Sequence, residues 1–139
     1  MRGSVLDTIR SLFAAGCCDD ALTKQTIAAV FEQYGYLCDT HTAVAVRVFE
    51  DYRRSSGDDT VSLIASTASP FKFSASVLSA LKPETVEGAD EFAMLDELAA
   101  ISGMDCPPAL SELKDKPERF SGSCTKQTMR GVVLDMLGM

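Results

Sequence analysis

A chain of 139 residues has room for one domain with a real core, and 46% hydrophobic against 24% charged residues is a globular composition. A formal charge of -7 excludes a nucleic-acid surface built on clustered Lys and Arg, and no apolar run approaches the roughly 18 residues of a membrane span. Five cysteines without a C-x-x-C pair and one histidine argue against a disulfide framework and a zinc site; with no signal-peptide layout at the start, the expected setting is the reducing cytoplasm.

In chain order, residues 4–15 predict an amphipathic helix with Val5, Ile9, Leu12 and Phe13 on one face, stopped by Gly16. Such a face predicts a partner surface, one that this chain need not contain. A second helix is expected to start at a Thr23 cap, to pack through Ile27, Val30, Phe31 and Tyr34, and to end on a left-handed Gly35. Asp39 and Thr40 offer oxygen caps for a third helix over 41–54, with Val44, Ala45, Val48, Phe49 and Tyr52 as its packing stripe. Arg53 and Arg54 fit the negative end of that helix dipole.

Residues 61–65, VSLIA, read as a strand buried on both faces, near 61–66. One such strand cannot satisfy its own backbone, so the expected partner strands lie upstream of Met1. The alternative is a mostly helical domain in which 61–65 is an edge strand or buried coil. Further on, Ser74 is expected to cap a short helix carrying Val77, Leu78 and Leu81, which stops before Pro83. A surface loop follows over 83–89. Asp90 opens a helix with Phe92, Leu95, Leu98 and Ile101 inward and Gly103 at its end. Pro107 and Pro108 predict a turn into a short helix with Leu110 and Leu113, and 114–120 an exposed stretch. Ser123 or Thr125 is the expected cap of a last helix burying Met129, Val132, Val133, Met136 and Leu137.

The candidate strand runs directly into hydroxyls, Ser66, Thr67 and Ser69, and then into Pro70, Phe71, Lys72 and Phe73. Ligands of open α/β sheets sit beyond the carboxyl ends of strands, where these groups fall. Ser69 to Lys72 also fits S-x-x-K, but the S-D-N and K-T-G companions are absent. No glycine-rich phosphate loop occurs in the chain.

STASPFKF at 66–73, taken with GYLCDTHTAVAV at 35–46, resembles the carboxyl-terminal part of the threonine synthases. Supporting likeness runs through the helix after Thr23 and through FAMLDELAAISG and CTKQTMRGVVLDML. The resemblance implies an α/β fold: the helix-rich carboxyl-terminal portion of a tryptophan-synthase β-like, fold type II, three-layer structure, with residues 1–139 a single unit of a larger pyridoxal-phosphate enzyme. It implies conversion of O-phosphohomoserine and water to threonine and phosphate.

By the same resemblance Thr67 would meet the pyridine nitrogen of pyridoxal phosphate, with Ser66 beside it, and Lys72 and Ser69 would hold the substrate phosphate. Many family members have His at the position of Ser69, so an imidazole role there is in doubt. Asp39 and His41, from D-x-H-T-A, are site-lining candidates, and a plain helix cap is the competing account of both. The family's Schiff-base lysine belongs to an amino-terminal segment absent from these residues. The expectation is therefore a chain inactive alone, needing the missing amino-terminal part as partner and prone to self-association. Two other readings remain open: a non-catalytic interaction or regulatory domain derived from this fold, and a related serine or threonine dehydratase.

Overall fold

The computed structural model describes residues 3–139; Met1 and Arg2, and with them the question of a start at Met1, lie outside the described residues. Seven α-helices occur among the described residues: α1 (Gly3–Leu12), α2 (Asp20–Tyr34), α3 (Thr40–Ser56), α4 (Ser74–Leu81), α5 (Glu91–Ser102), α6 (Pro108–Ser111) and α7 (Met129–Met136). Their boundaries follow local chemistry. Asp19, Asp39 and Asp90 stand before α2, α3 and α5 in extended conformation, each carboxylate accepting backbone N–H groups of the first turn. Gly35 and Gly103 close α2 and α5 at φ 64° and 67°, a region that costs a side-chain-bearing residue about 1 kcal/mol or more.

The core sits around α4, which packs against α2 on one side and α5 on the other, with α3 laid on α2. Ile27 of α2, Val77 and Leu78 of α4 and Leu98 of α5 are completely buried, and Leu37, Cys38 and Phe71 close the gaps between them. Each such side chain contributes about 1.5–3 kcal/mol of burial. Ala43 is the buried apolar residue of α3, where its first turn reaches the core. The chain before α2 runs close along α3, since a Cβ at Gly16 would come 2.9 Å from Val48 Cγ1. Gly16 therefore permits a close approach and does not stop α1, which already ends at Leu12.

Several expectations are corrected. No strand occurs among the described residues, so the α/β layering and the buried strand near 61–66 are not observed there; the helix-rich part of the expectation is. Residues 61–67 run as an exposed loop, with Val61 at 92% and Leu63 at 97% exposure. A strand needs neighbours for its backbone groups, and no other described segment supplies them. Helix α7 forms, but Met129, Val132, Val133, Met136 and Leu137 are exposed, because no other described element covers that face. Thr128 directly precedes α7 but makes no side-chain capping bond; the Thr125 hydroxyl, one of the two expected caps, accepts the Thr128 N–H at 3.4 Å in the turn that leads into the helix. Asp19 takes the place expected for Thr23 at the start of α2, since a carboxylate lies four residues upstream; Thr23 instead donates its hydroxyl to the Asp19 carbonyl at 2.7 Å. Tyr34, Ala45 and Tyr52 face solvent, and Val46 packs on the core in their place. Ser74 is the first residue of α4 and makes no capping bond.

Candidate functional site

Asp39 is the centre of the site. It follows the buried Leu37 and Cys38, so the chain carries it inward just as α3 begins, and its side chain has no exposure to solvent. Oδ1 accepts the backbone N–H groups of His41 at 2.8 Å and Thr42 at 3.4 Å, and Nδ1 of His41 lies 3.0 Å away. Oδ2 accepts the Thr42 hydroxyl. Burial works against the charge on this carboxylate, but the Thr42 hydroxyl, the His41 N–H and ring, and the Thr42 N–H together outweigh it and hold Asp39 below the ordinary carboxylate range. The neighbouring Cys38 thiol moves the other way: burial first, opposed by a backbone hydrogen bond and aided by the Asp39 charge, pushes it up to about 11.

The carboxylate organises two other residues. A carboxylate only accepts, so His41 Nδ1 is the donor and Nε2 has no partner among the described residues, on a side chain that is mostly exposed. That ring rests on Phe73, centroids 4.9 Å apart and planes tilted by 58°. Thr42 Oγ1 lies 3.1 Å from Ser66 Oγ, and the Tyr36 hydroxyl lies 3.2 Å from the same Ser66 oxygen. The two sequence motifs, 35–46 and 66–73, therefore meet through a hydroxyl network and a ring contact.

Of the six candidate residues, Asp39, His41 and Ser66 are brought together. Ser69 caps the 3-10 turn Pro70–Phe73, its hydroxyl accepting the Phe71 N–H at 3.3 Å. The side chains of Thr67 and Lys72 are exposed and make no hydrogen bond or ion pair with any described residue. Tyr36, Thr42 and Phe73 were not singled out as site residues from sequence. Thr42 carried a usable signal, because a hydroxyl three residues after a capping Asp is placed to bond it. Beside the network, the first turns of α2 and α3 and Ser76 of α4 border an open cleft of about 500 Å³, which His41, Thr40 and Lys24 line.

These features define a helical domain that gathers two polar motifs into one anchored site and leaves a hydroxyl and an ammonium open beside it. The family model described as "Threonine synthase, C-terminal" matches residues 42–129, more than half of the chain, and the protein belongs to that family. Over 81 residues, 55% of the chain, it is 36% identical to a threonine synthase of Methylobacillus glycogenes. Over 80 residues, 58% of the chain, it is 41% identical to a threonine synthase of Pseudomonas aeruginosa. The matched stretch spans only 16% and 15% of those proteins' own lengths. No helix among the described residues is long and apolar enough to cross a membrane.

Proposed function

We propose that this chain supplies the carboxyl-terminal part of a threonine synthase, a cytoplasmic pyridoxal-phosphate-dependent lyase that converts O-phosphohomoserine and water to threonine and phosphate. The observation that carries the reading is the meeting of the two family motifs at Ser66, with the free Thr67 hydroxyl next in the chain.

The residues present fit one end of the cofactor. Thr67 has an uncommitted hydroxyl for the pyridine nitrogen, and a neutral partner of that kind leaves the nitrogen largely unprotonated. When bound, the cofactor supplies the electron sink of the reaction. Lys72 offers an unpaired ammonium, a point charge suited to the substrate phosphate. Ser69 stands at the start of the same turn, and His41, held from beneath by the buried Asp39, lines the approach from α3. The Schiff-base lysine and the grip on the cofactor phosphate come, in this reading, from the rest of the enzyme.

Residues 1–139 act as one unit that docks on that remainder. Support comes from apolar side chains that this unit leaves uncovered: Val61 and Leu63 on the loop, Leu12 and Phe13 at the end of α1, and Met136 on α7. The buried core around α4 favours the second reading, a self-contained interaction domain. An assay separates them. The chain alone, given O-phosphohomoserine and pyridoxal phosphate, is expected to form no threonine, and activity is expected once the rest of a threonine synthase is added. Threonine formation by the chain alone overturns the division of labour; no activity from the combined parts, each folded, overturns the enzyme reading.

A further inference from the structure

Among the described residues, the loop that carries Thr67 is hydrogen-bonded to the helical body at one point. Side chains 62–67 are exposed, and the hydrogen bonds that leave this stretch for another part of the molecule are those of Ser66 with Thr42 and Tyr36. Proton counting gives these bonds a direction. The single hydroxyl proton of Thr42 goes to the Asp39 carboxylate, so at 3.1 Å Ser66 must donate to Thr42, and its oxygen accepts from Tyr36 at 3.2 Å. Each hydroxyl then donates once along the line Tyr36, Ser66, Thr42, ending on a buried anion that polarises the whole chain. Ser66 has no proton left to give, whereas Thr67, one peptide unit further on, keeps its own.

We infer that Thr42 is a positioning residue: held by Asp39, it fixes Ser66 and thereby the place at which the Thr67 hydroxyl is presented to the cofactor. This rests on the proposed contact between Thr67 and pyridoxal phosphate. A loop already anchored at Ser66 loses less freedom when Thr67 meets its ligand, which favours binding without any added contact.

Three variants separate the hydroxyl from the methyl group. Thr42→Val keeps the shape and loses the hydroxyl, Thr42→Ser does the reverse, and Ser66→Ala cuts the tether from the loop side while leaving the Asp39 cap intact. In the full 139-residue chain, NMR order parameters of the Ser66 and Thr67 backbone amides are expected to fall from about 0.85, the rigid-backbone value, toward about 0.6 in Thr42→Val and Ser66→Ala and to stay unchanged in Thr42→Ser, with Ile27 and Leu98 unaffected. Equal order parameters in wild type and Ser66→Ala overturn the tether, even if Thr42→Val fails to fold.

Pyridoxal phosphate is then titrated into the enzyme assembled from this chain and its remainder. Affinity is expected to fall about tenfold in Thr42→Val and Ser66→Ala and to be kept in Thr42→Ser. Lowered order parameters with unchanged affinity overturn the positioning role alone. Unchanged affinity in Thr67→Ala overturns the proposed function on which it rests.

Discussion

The imidazole of His41 rests on the ring of Phe73 at 4.9 Å between centroids, while its Nδ1 donates to the buried Asp39 at 3.0 Å. One residue thus links the cap of α3 to the turn that follows the hydroxyl loop. The arrangement makes Asp39 the residue on which most of the site depends.

Replacing Asp39 by Ala strands the Thr42 hydroxyl and two backbone N–H groups in a buried place. A loss of about 2–3 kcal/mol is expected, combining a lost cap with unmet donors. The midpoint of urea unfolding measures it, and a shift equivalent to less than about 0.5 kcal/mol would show that the cap carries no weight.

The same carboxylate sets an acid dependence. Its folded value is depressed, so its stabilisation is fully present above the unfolded value of 3.8 and is lost as pH falls through the lower folded value. Asp39→Asn is expected to be less stable at neutral pH and to show a shallower decline in stability below about pH 4. Parallel acid profiles for the two proteins would contradict this.

Thiol chemistry offers an independent check on burial. Cys17 and Cys124 are exposed, whereas Cys38 is buried with its thiol pushed up to about 11, so it holds almost no thiolate at neutral pH. Timed alkylation at pH 8 with mass spectrometry is expected to label Cys17 and Cys124 first and Cys38 only on unfolding. Early labelling of Cys38 would mean that the link into α3 opens readily.

Two leucines are expected to respond in opposite ways. Leu98 is completely buried, and Leu98→Ala is expected to cost about 2–5 kcal/mol. Leu63 is 97% exposed, so Leu63→Ser is expected to change stability by less than about 0.5 kcal/mol while lowering hydrophobic-dye binding and self-association seen by light scattering. A large stability loss in Leu63→Ser would place the loop in a core it does not share here.

Gly35 tests the helix end. With φ at 64° and open space around the site of a Cβ, Gly35→Ala meets backbone strain alone, about 1 kcal/mol. A lowered melting temperature is the expected result, and an unchanged one would mean that the end of α2 adapts.

What was legible in the sequence was mostly what a few neighbouring atoms decide. Asp39, Asp90, Gly35 and Gly103 end or begin helices through bonds to residues within one turn, and those expectations hold. VSLIA misleads for the opposite reason: its β-branched, apolar character is local, but a strand is defined by partners, and none are described. Helix α7 has the period of a buried helix and lacks the surface that would bury it. Within the site, the cap at Asp39 was readable, but the bond from Thr42 to Ser66 joins residues 24 apart, and nothing in either motif alone announces it. Thr67 and Lys72 stand out in sequence by their place after the expected strand, but their particular roles come from the family resemblance, since both are uncommitted side chains here.

The packing order around α4 also bears on how the chain reaches this state. Its main contacts join α2 to α3 and α4 to α5, which follow each other along the chain, and α2 to α4, which are separated by all of α3 and the loop after it. The tether at Ser66 needs the start of α3 already in place, because Thr42 accepts from Ser66 only where Asp39 has fixed it. The hydroxyl loop is thus a late event in folding, set down on a finished helical scaffold, and a mutation within it should alter the unfolding rate far more than the folding rate.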